Sequence, residues 1–128
     1  MKRWWLAIAV IGIVAPAMRV AAQPRPVDLP LSPRFSLALT VYRNCVLDEI
    51  DVSPLSDPAK MASRAVGTCT AMRGEVRARL IADILEAHPG YSAALAKRAA
   101  DSGMKVIDPL ITQAAQDRAH MMFASALQ

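Results

Sequence analysis

The side chains with the widest chemical options in this chain are its two cysteines, Cys45 in the stretch YRNCVLDEI and Cys69 in AVGTCTAM. A catalytic or redox thiol needs a histidine beside it, or a second cysteine at Cys-x-x-Cys spacing, to hold the sulfur as thiolate. Neither cysteine has such a neighbour along the sequence. An even cysteine count in an oxidising compartment forms a disulfide instead. Cys45 and Cys69 are therefore read as a staple bonded to each other, which the chain-entropy model values at roughly 3 to 4 kcal/mol for a loop of this length.

The remaining candidates offer less. His88 and His120 are the only histidines, and a metal site needs three or four convergent donors. The triplet His120, Met121 and Met122 has the soft donors that copper takes, but methionines also fill irregular cores, so no metal or other cofactor is expected. Serine hydrolysis finds no Gly-x-Ser-x-Gly turn, and Ser92, His88 and Asp83 gather only as residues of helix ends. Asp48 and Glu49 are adjacent, so on a helix they point about 100° apart and cannot converge on one bond. Arg73 and Arg77 lie one helical turn apart and could grip a carboxylate or phosphate. Glu75, Asp83 and Glu86 on the same helix are their expected ordinary ion-pair partners. Arg73, Arg77 and His120 remain the polar anchors to which a ligand could bind.

The start of the chain reads as an export signal over residues 1–22. Lys2 and Arg3 precede an apolar run from Trp4 to Met18, and small residues follow for cleavage after Ala22. The run falls short of the roughly 20 apolar residues that span a bilayer, and it contains Pro16. No stable membrane span is expected after its removal. The protein is expected to leave by the general secretory route and to be periplasmic or secreted. Lys2, Arg3 and Arg19 depart with the signal, leaving 12 basic residues against 11 acids. Only Phe35, Tyr42, Tyr91 and Phe123 then remain as aromatics. A near-neutral chain without stacking platforms does not suit nucleic acid.

What remains is one domain. Residues 23–32 form a proline-rich arm, the stretch from Gln23 through Pro33 holding four prolines that favour extended geometry. Residues 33–128 form a helical domain. Ser32 before Pro33 is a cap and first-turn signal for a helix to about Ile50, with Phe35, Leu39, Tyr42, Val46 and Ile50 on one face. Asp57 before Pro58 repeats that signal for a long second helix to about Ala87. Its expected buried stripe is Met61, Ala65, Cys69, Met72, Val76 and Leu80. An antiparallel hairpin brings the cysteines together if residues 52 to 56 run extended. On the opposite side Gly67, Ala71, Gly74 and Ala78 form a ridge without bulk, expected to pack against the C-terminal helices. Residues 88 to 90, HPG, end the second helix. Ser92 caps a third, and Asp108 before Pro109 repeats the cap signature for a fourth, unless the two are one kinked helix. The fold expected is all-α, a small bundle of three or four helices with a disulfide-stapled N-terminal hairpin.

The aromatic-x-x-Cys of Tyr42 to Cys45, followed by the helix carrying Ala65 to Cys69, resembles small exported bacterial helical proteins with one cysteine pair. The resemblance covers the hairpin and brings no functional site with it. Two functions fit. One is a small exported, non-catalytic binding or interaction module for a protein or small-molecule partner. The other is a periplasmic carrier or small enzyme with a site in a groove between helices. An exposed apolar patch would favour the first and an enclosed apolar cavity the second.

Overall fold

The computed structural model of the chain describes residues 31–51 and 57–128. The expected signal, residues 23–30 of the arm and the expected extended segment 52–56 lie outside the described residues. All regular structure among the described residues is helical: α1 (Pro33–Asp48), α2 (Pro58–Thr68), α3 (Thr70–Ala87) and α4 (Ala93–Ala126).

The starts of these helices follow from local chemistry. The Ser32 hydroxyl accepts the Phe35 N–H at 3.1 Å, and Pro33 occupies a first-turn position where its missing N–H costs nothing. The Asp57 carboxylate accepts the Ala59 N–H at 3.1 Å ahead of Pro58. Ser92 accepts the Leu95 N–H at 3.1 Å and opens α4.

One expectation about helix length is corrected, and one alternative left open is decided. The second helix does not run unbroken to Ala87. It bends at Cys69, whose φ of -95° and ψ of 22° separate α2 from α3. The Thr68 hydroxyl donates to the Arg64 carbonyl and the Thr70 hydroxyl to the Gly67 carbonyl, and such back-bonding bends helices. Gly67 lowers the local helix propensity further. The ladder is bent and not cut, since the Cys69 N–H still reaches the Ala65 and Val66 carbonyls. In the C-terminal region, the alternative of a single helix holds. α4 is 34 residues long and continues through Gly103 and Pro109. Asp108 does not cap it; its carboxylate is held by Arg73 of α3.

The helices make three rods: α1, the bent α2–α3 pair, and α4. α1 runs antiparallel to α3. The Ser32 N–H donates to the buried Asp83 carboxylate at one end, and Cys45 is bonded to Cys69 at the other. α4 runs antiparallel to the bent rod, with Asp101 beside Arg77 and Asp108 beside Arg73. Between the rods lie Phe35, Tyr42, Val46 and Ile50 of the α1 region, Ala65, Cys69, Val76, Leu80 and Ile84 of the bent rod, and Met104 and Ile111 of α4.

α4 contributes four buried alanines, Ala96, Ala100, Ala115 and Ala119, so its backbone sits close to its neighbours. Among the described residues the tightest glycine is also on α4. A Cβ on Gly103 would come 2.7 Å from Leu80 Cδ2. The ridge of Gly67, Ala71, Gly74 and Ala78 is, by contrast, exposed, and a Cβ on Gly67 or Gly74 would meet nothing within 4 Å. The expectation that this ridge packs against the C-terminal helices is therefore wrong. The small surface that permits close approach belongs to α4. Met72, expected on the buried stripe, is exposed as well, because α1 and α4 flank α3 along the line of Val76, Leu80 and Ile84 and leave Met72 at the edge.

Candidate functional site

The cysteines are joined, with Cα atoms 6.1 Å apart, and no free cysteine remains. Cys69 is fully buried and Cys45 partly so, which withdraws both sulfurs from chemistry and ties α1 to the bend in the second rod.

Three helices bring polar groups together next to this staple. Arg73 of α3 grips Asp108 of α4 through two guanidinium nitrogens: Nε donates at 2.9 and 3.1 Å and Nη2 at 2.6 Å. Hydrogen bonding to Asp108 raises the Arg73 pKa above its already high ordinary value. Tyr42 of α1 approaches the same pair. Its side chain is fully buried, and its hydroxyl finds no hydrogen-bond partner among the described residues. Burial raises its pKa; the nearby Asp108 carboxylate adds to the rise and Arg73 opposes it. One turn further along α3, Arg77 Nε donates to Asp101 at 2.7 Å. That bond lowers the Asp101 pKa and raises that of Arg77.

Both arginines read as ligand anchors thus have counter-ions, and the counter-ions lie across on α4. Glu75, Asp83 and Glu86 of their own helix do not pair with them among the described residues. His120 is exposed on α4 and stands roughly 18 Å along the helix axis from Asp108 at 1.5 Å per residue, so it does not join the arginines. The three anchors form no common site. His88 stacks on Tyr91, with ring centroids 4.6 Å apart. Among the described residues no three His, Cys, Asp or Glu side chains gather as a metal would require.

A different feature has the shape of a binding surface. On the outer side of the α1–α3 pair an open groove of about 330 Å³ is lined by Arg34, Leu37, Ala38 and Val41 from α1 and by Met72, Glu75 and Arg79 from α3. Its apolar floor is partly uncovered: Leu37 is 66%, Val41 47% and Met72 37% exposed. Arg34 and Arg79 stand toward one end and Glu75 between them and Met72. Neither Glu75 nor Arg79 enters an ion pair among the described residues. A signal for this surface was present in the sequence. Leu37 and Val41 are one turn apart on the side of α1 facing away from Phe35, Tyr42 and Val46, where an isolated helix should be polar.

No helix among the described residues is long and apolar enough to cross a membrane. No family model matches the chain, and neither a curated protein nor a solved structure matches it.

Proposed function

We propose that this protein is a non-catalytic binding module that acts outside the cytoplasm and docks its partner on the α1–α3 groove. The observation that carries the reading is the continuous exposed floor of Leu37, Val41 and Met72 within a rim of Arg34, Glu75 and Arg79. An apolar centre bordered by charged groups is the usual anatomy of a protein-binding patch. The disulfide is compatible with an exported protein and supports placing it in an oxidising compartment.

The groove suits docking better than carriage or catalysis. Ligand sites enclose most of their ligand, whereas this groove's walls are themselves open to solvent. Arg73 and Arg77, the anchors that the sequence offers to a ligand, are occupied across the α3–α4 contact. They hold α3 to α4, whereas Arg34, Glu75 and Arg79 at the groove enter no ion pair among the described residues.

A photo-crosslinking residue placed at Val41 in living cells tests the reading, with Lys97 on the exposed side of α4 as the control position. The expected result is a discrete adduct from Val41 that Leu37→Glu abolishes and that Lys97 does not give. Equal or absent adducts from the two positions would contradict it.

A further inference from the structure

We propose that the partner docked on the α1–α3 groove is a second copy of this chain, related by a two-fold axis that passes beside α3 at the level of Val76 and Arg77, with the two α3 helices antiparallel. The proposal rests on the docking role of the groove and adds the identity of its occupant.

The charge pattern of the outer side of α3 carries it. Glu75 and Arg79 are opposite charges one turn apart, both exposed and both outside any ion pair among the described residues. They are about 6 Å apart along the axis. When an α3 helix is laid antiparallel on its own copy about a point between Val76 and Arg77, Glu75 falls opposite Ala78 of the second copy and beside its Arg79. The two-fold repeats the contact, so one interface gains two Glu–Arg pairs from one pair of residues. Ala71 falls opposite Ala82 in the same register; these positions are exposed, and the alanines leave room for the helices to approach. Leu37, Val41 and Met72 flank this line and are covered by the opposing copy. An unrelated amphipathic helix would satisfy the apolar floor alone; a second copy also gives each Glu75 an Arg79 and each Arg79 a Glu75 across the two-fold.

Sedimentation of the disulfide-intact protein over a range of concentrations tests this with the charge-swapped variants Glu75→Arg and Arg79→Glu, each alone and then mixed in equal amounts. The native protein is expected to dimerise. Each variant alone places like charges at both symmetry-related contacts and should weaken the dimer by roughly tenfold or more. The mixture should recover it, because the Glu75→Arg chain then offers two arginines to the two glutamates of the Arg79→Glu chain. Any attraction within a single helix is lost in both variants and cannot be restored by mixing, so recovery reports contact between chains. A native protein that stays monomeric to roughly 1 mM overturns the inference, since self-association weaker than that has no structural weight. Charge swaps without effect, or a mixture that stays monomeric, also overturn it.

The Val41 crosslink separates this failure from failure of the docking role. An adduct of twice the chain mass supports the second copy. One of foreign mass, or one within a single chain to residues 23–30, overturns the second copy; the foreign adduct leaves the docking role standing. No adduct at all removes both.

Discussion

The two long sides of α3 have been given opposite tasks. Toward α1 and α4 it presents Val76, Leu80 and Ile84, and beside them Arg73 and Arg77, each locked to an aspartate of α4. Away from them it presents Ala71, Gly74, Glu75, Ala78, Arg79 and Ala82, all exposed, with the groove along one margin. The polar groups that look available for chemistry are those already engaged between α3 and α4. The small and apolar surface that looks destined for packing is the one left open. Charge and hydrophobicity along a helix do not say which side faces inward until the neighbouring helices are placed, and here the neighbours chose the side with Arg73 and Arg77.

The largest way to break the inner side is to remove its staple. Replacing Cys45 and Cys69 together by serine frees a loop of 24 residues, and the chain-entropy model predicts a loss of about 3 to 4 kcal/mol in urea unfolding. Reduction of the native disulfide should give the same midpoint as the double variant.

Next in size is a matched pair of glycine substitutions. Gly103→Leu must displace Leu80, already 2.7 Å from the position of a Cβ, and should cost about 1 to 3 kcal/mol. Gly74→Leu enters open space and should stabilise the dilute protein by about 0.5 to 1 kcal/mol through better helix propensity. Opposite shifts of the melting temperature would bear out the assignment of inner and outer small surfaces. A loss from both would put the Gly74 ridge back into a packed interface.

The arginines come third. Arg73→Ala removes a two-nitrogen grip on Asp108 in a partly exposed setting, and a loss of about 1 kcal/mol is expected. Arg77→Ala should matter less, with a distinctive pH dependence. The Arg77 hydrogen bond lowers the Asp101 pKa in the folded protein. Its contribution is therefore present above the ordinary carboxylate pKa and is lost as the pH falls through the lowered value. The stability difference between native protein and Arg77→Ala should shrink toward zero in acid.

The smallest effect concerns Tyr42. Its hydroxyl is buried without a partner among the described residues, so Tyr42→Phe should be neutral or stabilising by up to about 1 kcal/mol. Because burial raises its pKa, the contribution is intact below the unfolded tyrosine value and is lost as the pH rises through the folded one. Absorbance titration in a Tyr91→Phe background should therefore show phenolate forming late, together with unfolding. A clear loss of stability on Tyr42→Phe would instead reveal a hydrogen bond to an ordered water.

Much of the fold was legible because it is written in local signals. Ser32, Asp57 and Ser92 each announce a helix by a side chain that bonds within its own first turn, and the cysteine pair follows from an even count and an expected compartment. The bend at Cys69 was not legible, since it depends on Thr68 and Thr70 bonding backward where they could equally have pointed to water. Asp108 before Pro109 carries the residues of a cap, but the pairing with Arg73, 35 positions away, takes the carboxylate elsewhere. Long-range partners of this kind leave no trace in spacing. For the same reason Arg73 and Arg77 look free to bind in the sequence, while Leu37 and Val41, an exposed apolar pair at the groove, escape notice when α1 is judged by its inward face alone.

Whether the groove is surface or unfinished core is tested most directly by urea unfolding of the dilute Leu37→Glu, Val41→Glu double variant. If Leu37 and Val41 are as exposed as the fold shows, the unfolding free energy should stay within about 0.5 kcal/mol of the native protein. A loss of about 2 kcal/mol or more would mean that both side chains are buried against the chain's own residues, and the groove would then be no docking surface.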